Sequence, residues 1–316
     1  MTLLTIMHRF SLGKMVTVCP QCHRRSFKPY VDNASGRALD AQVCGRCNRE
    51  VKCKYHFTPA QWFEAGGKVA APPAGWTPPP PLPPDFVEVP KIRQTAMLED
   101  DALFRWLCGF FPKERVREVF AEYGVRHARW NGGATAFFLT DEEGRCRSAK
   151  LMRYGADGHR RKDGRPQDNV SWMHTVCGYR GFRFRACFFG AHLAAKYPDR
   201  TLCLVESEKT ALIMALEDES GLFTFMATGG ASALMPRPEV LADPWGRLRP
   251  LKGRHLILYP DADMVDRWME AANGLRGWCK TVQLCDVRNL PWGLTGSADM
   301  GDLIIESRGH CRLTTT

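Results

Sequence analysis

No stretch of this 316-residue chain approaches the ~20 consecutive apolar residues that a membrane-spanning helix requires, which excludes that class of protein. No secretory leader is expected either. The first fifteen residues, MTLLTIMHRFSLGKM, are too short for one and are interrupted by His8 and Arg9, so a cytoplasmic location is expected. Met7 and Met15 leave the start of translation open. There is no Gly-x-x-x-x-Gly-Lys-Ser/Thr loop, so no helicase motor of that kind lies in the chain, and there is no internal repeat. Acidic residues are outnumbered: 34 Asp and Glu face 44 Lys and Arg, giving a net charge of +10. A chain this basic most often meets a polyanion, with nucleic acid the first choice.

Cysteine is present where a disulfide framework would not put it. Five of the 13 cysteines crowd between Cys19 and Cys53, a spacing that reads as metal ligation in a reducing compartment. Cys19-Pro-Gln-Cys22 can place two sulfurs on one tetrahedral Zn²⁺, while Cys44, Cys47, Cys53 and His56 compete for the other positions. Four protein ligands would make the ion structural, since no position stays open for catalysis.

Proline marks the next boundary. Residues 71–84, APPAGWTPPPPLPP, hold eight of the 21 prolines and read as a semi-rigid spacer. The expected organisation is a disordered N-terminus over 1–15, a zinc-binding module over 16–64 and a proline-rich linker over 65–95. A basic α+β subdomain over 96–198 and an α/β domain over 199–312 follow. Val116, Val119, Phe120 and Tyr123 fall at i, i+3, i+4 and i+7, which predicts a helix closed by Gly124. TAFFLT and RSAKLMRY flank the turn DEEGR as a hairpin. From Thr201, TLCLV, LFTFMA, HLILY and TVQLC alternate with helical segments, which predicts βαβ units and a parallel sheet.

Ligands of such sheets sit at the carboxyl ends of the strands. There the chain places Glu206, then Thr228-Gly229-Gly230, then Pro260-Asp261-Ala262-Asp263. Carboxylates gathered at one edge repel one another unless a hard cation neutralises them, and Mg²⁺ suits such a set. The ordinary alternative is that these acids cap the following helices. Between 142 and 185, eleven Lys and Arg face five acids: Arg145, Arg147, Lys150, Arg153, Arg160, Arg161, Lys162, Arg165, Arg180, Arg183 and Arg185. Tyr154, Trp172, Tyr179 and Phe182 are interleaved with them, as in surfaces that combine phosphate contacts with base stacking.

VESEKTALIMA, ATGGASAL and LILYPDAD resemble the toprim domain shared by bacterial-type primases, topoisomerases and certain nucleases. The resemblance implies a Rossmann-like parallel sheet over about the last 110 residues, with Glu206 as general acid or base and Asp261 and Asp263 as Mg²⁺ (or Mn²⁺) ligands. It also implies that Lys209 faces phosphate and that ADMGDLI supplies Asp299 and Asp302 as further ligands. Glu208 has an ordinary explanation at a helix start. CPQC through GRCNREVKCKYHFTP is similar to the zinc-binding, zinc-ribbon-like head of primase-like proteins of bacterial genomes and mobile elements. That likeness assigns the ion to Cys19, Cys22, Cys47 and Cys53, with the additional Cys44 or His56 as the alternative fourth ligand. The segment before the α/β domain looks like the corresponding part of primase catalytic cores.

The function expected from this resemblance is synthesis of short RNA primers on single-stranded DNA from nucleoside triphosphates, alongside a separate replicative helicase. Arg145, Arg147, Lys150, Arg153, Arg160, Arg161 and Lys162 would hold the strand, and amides at Gly229 and Gly230 the phosphates. The alternatives are a toprim-type nuclease and an inactive zinc-dependent DNA-binding protein. None of the seven tyrosines announces a topoisomerase nucleophile.

Overall fold

The structure, a computed structural model, describes residues 10–33, 35–49, 52–69, 82–88, 97–230, 234, 236, 238–290 and 294–313. They divide into two compact units, Met1–Pro80 and Pro81–Thr316.

The first unit is an antiparallel sheet of β1 (Phe10–Leu12), β2 (Thr17–Val18), β3 (Arg25–Asp32), β4 (Gly45–Cys47) and β5 (His56–Phe57), followed by α1 (Pro59–Glu64). Its core is small: Phe27 and the sulfurs of Cys19, Cys47 and Cys53. Only glycine fits at the start of β4, because a Cβ on Gly45 would meet the Lys28 carbonyl at 2.3 Å and the Phe27 ring at 2.4 Å. Thr58 and Gln61 close a capping box at α1, with Pro59 in the first turn. Phe10–Leu12, assigned above to a disordered N-terminus, is instead a strand whose Phe10 pairs with Asp32 and is buried.

In the second unit, β6 (Val125–Ala128), β7 (Ala134–Thr140), β8 (Cys146–Met152) and β9 (Val170–Trp172) form an antiparallel meander. Around it lie α2 (Ala102–Leu107), α3 (Lys113–Glu122), α4 (Pro166–Asn169), α5 (Met173–Val176) and α6 (Ala191–Lys196). In α3 the periodic residues Val116, Val119 and Phe120 are buried, and Gly124 closes the turn at φ +69°. Then come β10 (Thr201–Val205), α7 (Glu208–Glu217), β11 (Phe223–Ala227), α8 (Pro238–Leu241), β12 (His255–Leu258), α9 (Val265–Leu275), β13 (Thr281–Leu284) and α10 (Met300–Leu313). These four strands form a parallel sheet in the order β11-β10-β12-β13, covered by helices. The two sheets share one core, in which Phe104, Phe120, Phe137 and Phe189 join Leu204, Leu212 and Leu256.

Residues 82–88, read above as linker, belong to this unit. The Val87 amide donates to the Cys146 carbonyl at 2.8 Å and its side chain is buried, while Phe86 lies under the guanidinium of Arg145 at 4.6 Å. Most of the proline-rich stretch lies outside the described residues. No described helix is long and apolar enough to cross a membrane.

Candidate functional site

The first unit gathers four sulfurs, Cys19, Cys22, Cys47 and Cys53, all within 4.8 Å of one another. Cys19 and Cys53 lie 3.7 Å apart, and Cys22 and Cys47 3.9 Å. A tetrahedron with Zn–S near 2.3 Å has edges of about 3.8 Å, so the cage fits Zn²⁺. The Arg24 backbone N–H lowers the Cys22 thiol to about 6, poising it as thiolate. The Tyr55 backbone amide favours the Cys53 thiolate, yet burial and the neighbouring sulfurs hold that thiol up at about 12. Cys44 is buried outside the cage, with its thiol pushed up to about 12 by burial and by Asp40. His56 Nε2 pairs with the Tyr30 hydroxyl at 2.9 Å. The cage therefore holds the four cysteines and leaves both alternatives out.

In the second unit, the carboxyl edge of the parallel sheet forms a cleft of about 280 Å³ lined by Glu206, Asp261, Lys150, Lys209, Arg160 and Gly230, among others. Glu206 follows β10, is 7% exposed, and its Oε1 has no hydrogen-bond partner among the described residues. Burial, with Asp263 and Asp299 nearby, raises its carboxyl to about 7, although the Asp261 backbone N–H favours the anion. Asp261 follows β12 and is raised to about 8 by burial and then by Glu206, Asp299, Asp263 and Asp302. Asp263 is exposed on the 3₁₀ turn Ala262–Met264. Among the described residues these carboxylates do not close into a cage as the four sulfurs do. A divalent cation bound here would partner the orphaned Glu206 oxygen and offset the burial and repulsion that raise both carboxyls.

Other predicted members are already occupied. Asp299 Oδ1 accepts the Gly301 and Asp302 amides at 2.7 and 3.1 Å, and its Oδ2 accepts the Thr210 hydroxyl at 2.5 Å. Asp299 thus caps α10 and ties it to α7. Asp302 is exposed, and its Oδ2 accepts the Asp299 amide at 3.2 Å. The Gly229 amide donates to the Glu206 carbonyl at 2.9 Å, so it is not free for phosphate. Gly230 sits at φ +157° with open space where a Cβ would lie.

The basic residues divide in the same way. Arg147 is 2% exposed; its Nε donates to Asp141 at 2.8 Å, so it is a core ion pair and not a strand contact. Arg145 pairs with Asp141 and Glu143 and stacks on Phe86 and Trp245. Lys150 Nζ bonds both oxygens of buried Glu208 at 3.0 Å and the Gly229 carbonyl at 3.4 Å. Arg153 Nη1 reaches Asn169 at 3.2 Å, and exposed Arg161 is held by Asp163. Arg160 and Lys162 are exposed, with Arg160 at the cleft. Lys209 Nζ lies 5.3 Å from the Trp106 ring centroid at the cleft wall. The Lys150–Glu208 pair was not foreseen, because nothing in the sequence links residues 58 positions apart.

Comparison with known proteins follows the two units. The family described as a zinc beta-ribbon finger matches residues 8–68. Among solved structures, the chain is similar to the primase fragment of the bacteriophage T7 primase-helicase protein. Identity there is 13%, coverage is 96% of this chain and 98% of that one, and the TM-score is 0.39. It is similar to the zinc-binding and RNA polymerase domains of the Aquifex aeolicus primase at 13% identity, covering 99% and 81%, with a TM-score of 0.37. For the RNA polymerase domain of the Mycobacterium tuberculosis primase the values are 16%, 61%, 60% and 0.34. No curated protein matches the chain. Residues 101–262, just over half the chain and including Glu206 and Asp261, match a further family, so the chain belongs to the family described as a domain of unknown function, DUF6371.

Proposed function

We propose that this chain is a metal-dependent nucleotidyltransferase of the toprim primase type, making short RNA primers on single-stranded DNA. The observation that carries the reading is the convergence of buried Glu206 and half-buried Asp261, both with raised carboxyls, in a cleft also lined by Lys209 and Arg160. Acids alone at a strand end could cap helices. A buried Glu206 oxygen with no hydrogen-bond partner among the described residues caps nothing.

Asp261 and Asp263 are the residues to hold Mg²⁺ or Mn²⁺, which when bound would neutralise and orient the triphosphate oxygens. Lys209 and Arg160 face the same phosphates from the protein side and favour their charge without covalent chemistry. Glu206 Oε1 takes the proton of the attacking 3′-hydroxyl, a role open to a carboxylate with a free lone pair in the cleft. Lys150, held by Glu208 against the Gly229 carbonyl, fixes the meander to the cleft and sets its width. Asp299 positions α10 against α7, and Arg147 stays in the core. The zinc cage keeps a structural role. Nucleoside triphosphates and a DNA template are the partners this chemistry needs, in the cytoplasm; a separate helicase follows from the sequence resemblance alone.

The test is to incubate the full chain with single-stranded DNA, labelled nucleoside triphosphates and Mg²⁺, and to resolve products on a sequencing gel. New short oligomers that vanish in Asp261→Asn are expected. Shortened input strands would point to a toprim nuclease, and a result with neither new oligomers nor shortened strands would overturn the enzymatic reading.

A further inference from the structure

Lys150 lines the carboxylate cleft. In the β8–β9 pair Lys150 stands directly opposite Trp172, and directly opposed residues of an antiparallel pair project to the same face. Ser148, two residues before Lys150, shares that face, and its hydroxyl pairs with His174 Nδ1 at 2.8 Å. From these two points a run of rings extends away from the cleft. Trp172 packs on Phe184 with centroids 4.5 Å apart, and His174 stacks on Phe182 at 4.7 Å with planes 15° apart. Tyr179 stands edge-on to Phe182 at 5.6 Å.

Packing explains the inner rings, since Trp172, Phe184 and Phe182 lean on buried clusters. It does not explain the outer end. Residues 175–181 are all exposed, and the turn that lifts Tyr179 out is built between Gly178 at φ +70° and Gly181 at φ +68°. Two left-handed glycines thus hold a tyrosine, 38% exposed, and Arg180 at the tip of an aromatic column. Between Asp168 and Asp199 the sequence contains no Asp or Glu. Arg183 and Arg185 are neutralised by Asp85 and Asp243, whereas exposed Arg180 has no ion pair among the described residues. Burial lowers the His174 ring below its ordinary value, so the column is neutral and the free cation lies at its tip.

We infer that this column is a base-stacking shelf for single-stranded DNA, which leads the strand to the cleft. Resting on the function proposed above, the inference names the surface that reads the strand. The occupant is chosen by complementarity. Flat rings in series beside an unpaired arginine, in a segment free of acids, match a polymer that alternates π-faces with phosphates. A protein partner could pair Arg180 with a carboxylate but offers no regular series of flat faces to the rings, and a lipid surface would call for aliphatic side chains and several cations.

The experiment measures affinity of the full chain, in EDTA-free buffer without Mg²⁺, for a fluorescent 12-mer of deoxythymidine and for an abasic 12-mer of equal length and charge. Wild type should prefer the base-bearing strand by at least about fivefold, as one stacked base confers. Tyr179→Ala should reduce that preference while leaving the salt dependence unchanged, and Tyr179→Phe should retain it. Arg180→Ala should weaken both strands alike and flatten the log–log salt slope by about 0.7. Tyr179 and Arg180 are exposed, so folding should be intact; near-ultraviolet circular dichroism checks this. Equal binding of the two strands by wild type, no binding of either, or a preference untouched in Tyr179→Ala would each overturn the shelf. Asp261→Asn should keep the preference. A chain that discriminates the strands yet makes no primers would therefore retain the shelf and lose the enzymatic reading.

Discussion

Glu206→Gln keeps the side chain's size and removes its ability to take a proton, which separates two roles that one carboxylate can play. With Glu206 as base, nucleotide binding should survive while turnover falls about 10²- to 10⁴-fold, and extra Mg²⁺ should restore nothing. Recovery of rate at raised Mg²⁺ would make Glu206 a ligand instead. The acids also predict a pH signature in the protein without metal. Glu206 and Asp261 hold their protons to about 7 and about 8, whereas in the unfolded chain both ionise near pH 4. At these two groups the folded state then binds more protons, so their contribution to stability is complete below about pH 4 and is lost as pH rises through 7 to 8. Mg²⁺ would replace those protons. Thermal melts should show a larger gain from Mg²⁺ at pH 8.5 than at pH 6, and equal gains would place the ion elsewhere. Sequence reading reached Glu206 and Asp261 because strand ends announce themselves. It could not see that the Gly229 amide and the Asp299 oxygens were already taken, since their partners depend on how the loops close.

At the scale of elements, alternation carried the parallel sheet and the hairpin, because apolar runs separated by amphipathic helices leave few arrangements. Charge was the weaker guide. β8 carries Arg147 and Lys150 three residues apart, and both read as strand contacts. Odd spacing sends them to opposite faces, Arg147 to Asp141 and Lys150 to Glu208. The second pair joins the meander to α7 with Glu208 2% exposed. Removing one member leaves a buried charge unpaired. Lys150→Ala should therefore cost about 3–5 kcal/mol in denaturant melts, while Lys150→Met with Glu208→Leu should recover most of it. If the single variant lost under about 1 kcal/mol, water would be reaching Glu208 and the pair would be an ordinary surface contact.

For the whole molecule, the two units differ in what holds them together. The second has a broad apolar core running from α2 to α10, with Trp268, Phe104 and Leu256 fully buried. The first clusters Phe27 and three sulfurs, with Phe10 and Cys44 also buried, in a core too small to offset the chain entropy of some sixty residues, so its ion must contribute folding free energy directly. Purified protein should carry about one Zn²⁺ per chain. A chelator should abolish the first unit's hydrogen-exchange protection in β3 and β4 while leaving the strands of the parallel sheet protected. The cage geometry adds a finer expectation. Cys19→Ser and Cys53→Ser should each lose the ion, because each removes a corner of the tetrahedron. Cys44→Ser should keep it, because that thiol is buried outside the four. Full zinc in Cys53→Ser would transfer the fourth corner to Cys44 and require the chain entering β4 to bring that thiol into the cage. Loss of protection throughout the chain on chelation would mean that the second unit depends on the first, against the separate cores described above.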